Sequence, residues 1–143
     1  MKTPDKAARE RIVQEHVDRE LRHELDALVD TFTVHHAEWH DRASVETRHG
    51  HAEIRAFYDE LFTGFPDFSF EVIRKHVSDE AIVLEAVATG THLAVWKGVP
   101  ATGKSVRFPL CAVFTFAADD KILAEITYYD RLTVLTQLGV LSL

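Results

Sequence analysis

Over residues 82–130 the hydrophobic and polar positions alternate with the period of β-structure. Val106, Phe108, Leu110, Ala112, Phe114 and Phe116 fall on one side of a segment whose other side carries Ser105, Arg107, Pro109, Cys111, Val113 and Thr115. A period of two with large apolar residues on one side predicts a half-buried strand. The preceding segment, 82–93, is apolar on both sides, with Ile82, Leu84, Ala86 and Ala88 against Val83 and Val87. It predicts a strand covered on both faces. A third segment sets Ile122, Ala124, Ile126, Tyr128 and Asp130 against Leu123, Glu125, Thr127 and Tyr129. The even-numbered set is the more apolar, which places Asp130 and Tyr128 on the buried face.

Before this region the period changes to that of helices. Pro4-Asp5 can open a helix, and Ile12, Val13, Val17 and Leu21 recur at helical spacing. Leu25, Leu28, Val29 and Phe32 continue the pattern, which predicts helices over 5–20 and 24–33 with a break near Arg22-His23. No glycine or proline marks that break, so a single long helix is the alternative. Residues 34–44 read as a short strand followed by a loop, with Ala37 and Trp39 on one face and His36, Glu38 and His40 on the other. From Ala52 a strongly amphipathic helix carries the stripe Ile54, Phe57, Tyr58, Leu61 and Phe65, with Gly64 to cap it and Pro66 to stop it. A strand follows from Phe68 to about His76, then a turn at Ser78-Asp79-Glu80. Gly98, Pro100 and Gly103 mark an irregular link, 117–120 a turn, and Leu132, Leu135 and Leu138 a short helix ending at Gly139. Helices first and an antiparallel meander last make an α+β arrangement in one domain, 1–143, whose curved sheet wraps around helices and leaves a pocket.

Composition narrows the partners. A formal charge of −7 with scattered basic residues argues against nucleic acid, and the single cysteine, Cys111, excludes an internal disulfide. No apolar run approaches the roughly 20 residues that span a bilayer, and the charged N-terminus is unlike a signal peptide. The expectation is a cytoplasmic protein with no membrane partner.

Asp130 is the first candidate for chemistry. A carboxylate ending an apolar face is partly desolvated, which raises its pKa and suits it to proton exchange. The same residue can instead cap the following helix, since Asp is a favoured N-cap; periodicity leaves both open. Tyr128, two residues away, can donate a hydrogen bond to a substrate oxygen or be a core tyrosine. His92 shares the face of Ala86, Ala88 and Gly90, and can look into the pocket or be a satisfied core residue. Trp39, Phe57, Phe62, Phe70, Trp96 and Phe108 are the expected pocket walls, as they are of any core this size. His36, Glu38 and His40 have the spacing of strand-borne metal ligands, but an acidic surface strand looks the same, and no metal is expected. Cys111 has no adjacent base to activate it. The segment 98–103 lacks the Lys-Ser/Thr ending of a phosphate loop.

Several of these pieces occur together in order: Gly50 with Ile54-Arg55-Ala56-Phe57-Tyr58, Phe65-Pro66-Asp67-Phe68, Gly90-Thr91-His92, Gly98-Val99-Pro100-Ala101-Thr102-Gly103-Lys104, and Tyr129-Asp130-Arg131 with Gln137-Leu138-Gly139. In this order the chain, from about Ile12 on, resembles the SnoaL-like polyketide cyclase (ester cyclase) family of the nuclear-transport-factor-2-like superfamily. The resemblance implies a cone-shaped α+β barrel, a curved antiparallel sheet wrapped around N-terminal helices, a deep pocket for a hydrophobic small molecule, and a homodimer. It implies cofactor-free ring closure by intramolecular aldol chemistry on a carbonyl compound, with Asp130 as general acid/base and Tyr128 or His92 steadying the enolate oxygen. The alternatives are a ketosteroid-isomerase-like isomerase and a non-catalytic binding or dimerisation module, its outer face formed by Val87, Cys111 and Val113. An epoxide hydrolase ranks lower, because Arg107 faces away from Asp130. The family usually carries an aspartate before the first strand, where this chain reads Thr33-Val34-His35-His36; His40 is the nearest second polar group.

Overall fold

The computed structural model describes residues 3–141. Helix α1, Lys6–Leu21, begins at Asp5, whose carboxylate accepts the Ala8 N–H at 3.0 Å and so satisfies one of the free donors of the first turn. The break after α1 falls where the sequence predicts it. His23 makes it, with a left-handed φ of 56°, a conformation in which histidine is enriched among non-glycine residues. Helix α2, Leu25–Val29, is shorter than its apolar pattern. Its continuation is taken by the sheet: the Ile122 N–H donates to Thr31 O at 3.1 Å and the Thr33 N–H to Ile122 O at 2.8 Å.

The remaining elements are β1 Glu38–Asp41, β2 Glu46–His49, α3 Gly50–Gly64, β3 Ser69–Val77, β4 Ala81–Thr91, β5 Ser105–Phe116, β6 Ile122–Tyr129 and α4 Arg131–Gln137. Beyond the loop expected up to Ser44, β2 forms and closes a hairpin with β1, with Asp41 Oδ1 accepting the Ala43 and Ser44 N–H groups at 2.9 and 3.1 Å. One six-stranded sheet runs β2-β1-β6-β5-β4-β3. Its pairings are antiparallel except β1 with β6, which is parallel. The sheet is therefore mixed and not wholly antiparallel, because β1 reaches β6 only through the long crossover that a parallel pair requires.

The α3 stripe of Ile54, Phe57, Tyr58 and Leu61, with Phe65 beyond it, is buried as predicted, against inward residues that include Leu84, Ala112 and Phe114. On β4 the even-numbered residues are buried and the odd-numbered ones only partly covered, so its outer face lacks the full cover that its apolarity suggested. In α4 the buried residue is Val134, with Leu138 buried at its C-cap, while Leu132 is exposed.

One irregularity decides which residues reach the interior. Thr115 pairs with Ala124 but Phe116 pairs with Ile122, so Leu123 is an extra residue in β6. Such a bulge moves every later side chain to the opposite face. Beyond it Phe114 lies opposite Glu125, Ala112 opposite Thr127 and Leu110 opposite Tyr129. Opposed residues share a face, so Glu125, Thr127 and Tyr129 point inward, and Tyr128 and Asp130 belong to the outer set.

Candidate active site

The concave side of the sheet and helices α1 and α3 border a cavity of about 90 Å³. Aromatic rings form much of its wall: Trp39, Phe57, Phe70, Trp96 and Phe108 together with Phe68 and Phe114. Two groups of polar residues interrupt this wall.

The first is buried at the inner end of α1. Val13, His16, Val17 and Glu20 are the buried residues of that helix, a spacing of i, i+3, i+4, i+7 that sets all four on one face. His16 Nδ1 lies 2.9 Å from Thr31 Oγ1. The Thr31 hydroxyl donates to Leu28 O at 2.7 Å, so it accepts from the imidazole and fixes a proton on Nδ1. Nε2 then faces two carboxylates, Glu20 Oε1 and Glu125 Oε1, each at 3.3 Å. Tyr58 donates its hydroxyl proton to the same Glu125 oxygen. Burial alone would depress the pKa of His16, but the charge and hydrogen bond of Glu125, reinforced by Glu20, lift it to about 9. His16 is thus an imidazolium at neutral pH. Burial pushes the Glu20 carboxyl upward, against the opposing hydrogen bond from His16. Its second oxygen makes no hydrogen bond among the described residues, and the side chain is 11% exposed. Burial and the charge of Glu125 also raise Tyr58, which keeps it a neutral donor. The imidazole and the two carboxylates offer ligand-type atoms within 4.8 Å of one another.

The second group spans β1, β2, β6 and the loop after β4. Asp41, 1% exposed, accepts the Tyr129 hydroxyl at 2.7 Å and Lys97 Nζ at 2.9 Å on Oδ2. Lys97 also reaches Glu46 at 2.6 Å. Burial would raise Asp41, but the hydrogen bonds from Lys97 and Tyr129 outweigh it and hold the carboxyl below its ordinary value. Glu46 is held low in the same way by Lys97 and Arg48. The Tyr129 phenol is pushed up by burial and by Asp41.

The residues the sequence put forward for catalysis lie elsewhere. Asp130 is exposed and caps α4, accepting the Leu132 and Thr133 N–H groups at 3.0 and 3.4 Å and the Thr133 hydroxyl at 2.9 Å. Of its two readings the structure takes the cap, because the bulge at Leu123 turns its face outward. Tyr128 is 47% exposed and lines a groove on the outer side of the sheet with Val87 and Cys111. His92 is buried beneath the β4–β5 link and does not line the cavity. Its Nδ1 accepts the Thr102 N–H at 3.3 Å, and its ring stacks on Phe65 at 5.2 Å. Phe62 stacks on His23 at 4.1 Å outside the cavity wall. His40 points to the side of β1 away from Trp39 and Asp41, bonded to Glu38 at 3.2 Å. His36, at φ 63°, sits in a bend ahead of β1, so the set His36, Glu38 and His40 does not converge; Glu38 instead joins His40 to His49, the latter at 3.1 Å. Arg107 is exposed on β5, as its strand parity predicts.

The family model described as SnoaL-like polyketide cyclase matches residues 10–138. The chain belongs to this family. Among solved structures, a protein from Jannaschia sp. CCS1 described as a SnoaL-like polyketide cyclase superposes with a TM-score of 0.85 at 24% identity, covering 99% of each chain. AclR from Streptomyces galilaeus, described as a hydroxylase, gives 0.80 at 21% identity over 96% of this chain and 89% of its own. A ketosteroid-isomerase-like protein from Catenulispora acidiphila DSM 44928, in complex with trimethylamine, gives 0.75 at 19% over 91% and 93%. No curated protein matches the sequence. At these identities the structures establish the shared fold: an α+β cone with an open, curved sheet. Among the described residues no helix is long and apolar enough to cross a membrane.

For this SnoaL-like chain, sequence reasoning missed His16, Glu20, Asp41, Lys97, Glu125 and Tyr129 as site residues. For the first two a signal was present. They occupy i+3 and i+7 positions in a stripe whose other members, Val13 and Val17, are apolar, and polar residues inside an apolar stripe mark a buried polar centre. The residues from β6 were hidden by the bulge.

Proposed function

We propose that this protein is a cofactor-free acid/base enzyme for a hydrophobic, carbonyl-bearing small molecule, of the polyketide cyclase kind, with the His16–Glu20–Glu125 cluster as its proton-exchanging centre. The observation that carries this reading is a buried histidine held between two carboxylates on the wall of an aromatic cavity. Glu20 accepts the proton alpha to the carbonyl on its unpaired oxygen, and the electron pair moves into the enolate. The adjacent imidazolium offsets the charge that Glu20 carries between turnovers. Glu125, fixed by Tyr58 and His16, orients the ring, and Thr31 fixes its tautomer. The enolate then attacks a second carbonyl to close a ring, the resulting alkoxide taking back the proton that Glu20 holds, or Glu20 returns that proton at another carbon as an isomerase would do it. Aldol closure is supported by the family; the isomerase reading draws on the fold shared with the Catenulispora protein.

Exchange with solvent tests the chemistry without the natural substrate. Incubated in D₂O with 2-tetralone, the protein is expected to catalyse deuterium incorporation alpha to the carbonyl, and Glu20→Gln to abolish it. If the ketone resonances broaden on binding but exchange stays at the buffer rate, the cavity is a binding site only. Exchange persisting in Glu20→Gln would remove Glu20 as the base. We place the homodimer on the outer sheet face, where Val83, Val87, Cys111 and Tyr128 leave an apolar groove; light scattering on wild type and Tyr128→Asp checks it.

A further inference from the structure

The second polar group of the cavity has no part in the proton exchange proposed above, yet it is built with more constraint than a surface ion pair. Lys97 lies in a tight turn, Trp96-Lys97-Gly98-Val99, in which Trp96 and Val99 exchange both backbone hydrogen bonds, at 3.0 and 2.9 Å. Both central residues have positive φ, 47° for Lys97 and 78° for Gly98. That is the backbone of a type I′ turn, which selects Gly, Asn or Asp at its centre. Gly98 meets the requirement. A lysine at the other position stores strain, and strain of this kind collects where a side chain must be presented in one direction.

The direction is inward. Lys97 lines the cavity with its side chain 14% exposed. Its Nζ sits 5.6 Å from the Trp96 ring centroid and 5.8 Å from those of Trp39 and Phe57, within the range at which ring faces attract a cation. Gly64 permits the turn to approach α3, since a Cβ there would lie 3.0 Å from Trp96 Cβ. An ammonium has three protons. Two are taken by Asp41 at 2.9 Å and Glu46 at 2.6 Å. The third has only the Ser44 hydroxyl at 3.4 Å, beyond the usual span of an N–H···O bond.

We infer that Lys97 is the polar anchor of the ligand site, donating its third proton to an uncharged oxygen acceptor, such as a ketone or amide carbonyl, and discriminating against anions. The discrimination follows from the charges that face it. Asp41 and Glu46 are both held ionised, Arg48 bonds Glu46, and the Tyr129 hydroxyl proton is committed to Asp41. Arg48 is shared with Glu60 at 3.0 Å as well, so two cations face three anions and leave no surplus positive charge for a carboxylate or phosphate. A neutral carbonyl needs none and gains a charge-assisted bond in an apolar setting.

This rests on the cavity being the ligand site of the proposed enzyme, and it is tested by binding alone. Both tryptophans of the chain, Trp39 and Trp96, line the cavity beside Lys97, so their fluorescence reports occupancy. Titration with 1-cyclohexylethanone and with cyclohexanecarboxylate, matched in size, is expected to show the ketone binding about tenfold more tightly or better. Lys97→Met is expected to weaken the ketone about tenfold, the loss of one hydrogen bond to a charged donor, and to leave the carboxylate weak. Because Lys97→Met strands the buried Asp41 charge, the paired variant Lys97→Met/Asp41→Asn is measured alongside, with the same loss expected. A carboxylate that binds as well as the ketone overturns the inference. So does ketone affinity at the wild-type level in the paired variant, which would make Lys97 a structural ion-pair partner only. Binding is read in the wild-type protein without turnover, so it does not depend on Glu20 accepting a proton. Failure of the exchange chemistry therefore leaves this result standing.

Discussion

Raising the pH should unfasten this protein from its interior, and His16 sets the size of the effect. The imidazole ordinarily titrates at 6.5 and in the folded protein at about 9. Its folded pKa is raised, so the stability it contributes is fully present below pH 6.5 and is lost as pH climbs through about 9. At about 1.4 kcal/mol per pH unit, that interval is worth about 3 kcal/mol, a large share of the 5–15 kcal/mol typical of a domain. Glu20, also raised, works in the same direction, with losses that begin above its ordinary 4.5. The loss is a proton-linkage effect, since the native state binds a proton that the unfolded chain releases. Urea melts at half-unit intervals between pH 6 and 9.5 measure it directly, with the His16 Cε1–H resonance followed over the same range. Glu125→Gln removes the leading interaction that raises His16, so its alkaline slope should flatten. A His16 resonance titrating at or below 6.5, or an equal alkaline slope in His16→Gln and wild type, would refute the reasoning.

Two further substitutions separate the cluster from its surroundings. Asp130→Ala should cost about 1 kcal/mol through the lost helix cap, seen as a lower urea midpoint, while leaving α-proton exchange intact; loss of exchange with retained stability would return Asp130 to the chemistry. Thr31→Val leaves the buried His16 Nδ1–H without an acceptor, so stability should fall by about 1–3 kcal/mol in a thermal or urea melt.

The helices and the long strands could be read from the chain because each rests on local spacing, and the family from the resemblance of its motifs in their order. The stripe Ile54, Phe57, Tyr58 and Leu61 needs only a period of 3.6, and the alternation from Val106 to Phe116 only a period of two. The same patterns carry the aromatic residues Trp39, Phe57, Phe70, Trp96 and Phe108, which line the cavity. The N-terminal helix held a fainter message. His16 and Glu20 lie on its buried face, but spacing names the face and not what meets it there.

What the sequence left undecided is what arises between segments far apart in it. The parallel pairing of β1 with β6, and the hairpin β1–β2 beside it, depend on partners that no local window contains. The bulge at Leu123 is visible only as a mismatch between two strands. It exchanged the faces of β6, sending Tyr128 and Asp130 outward and bringing Glu125, Thr127 and Tyr129 in. Glu125 then meets His16 across 109 residues of chain, and Asp41 meets Lys97 across 56. Charges that pay for burial only in pairs are located by whichever partner the fold delivers, and that is settled in three dimensions.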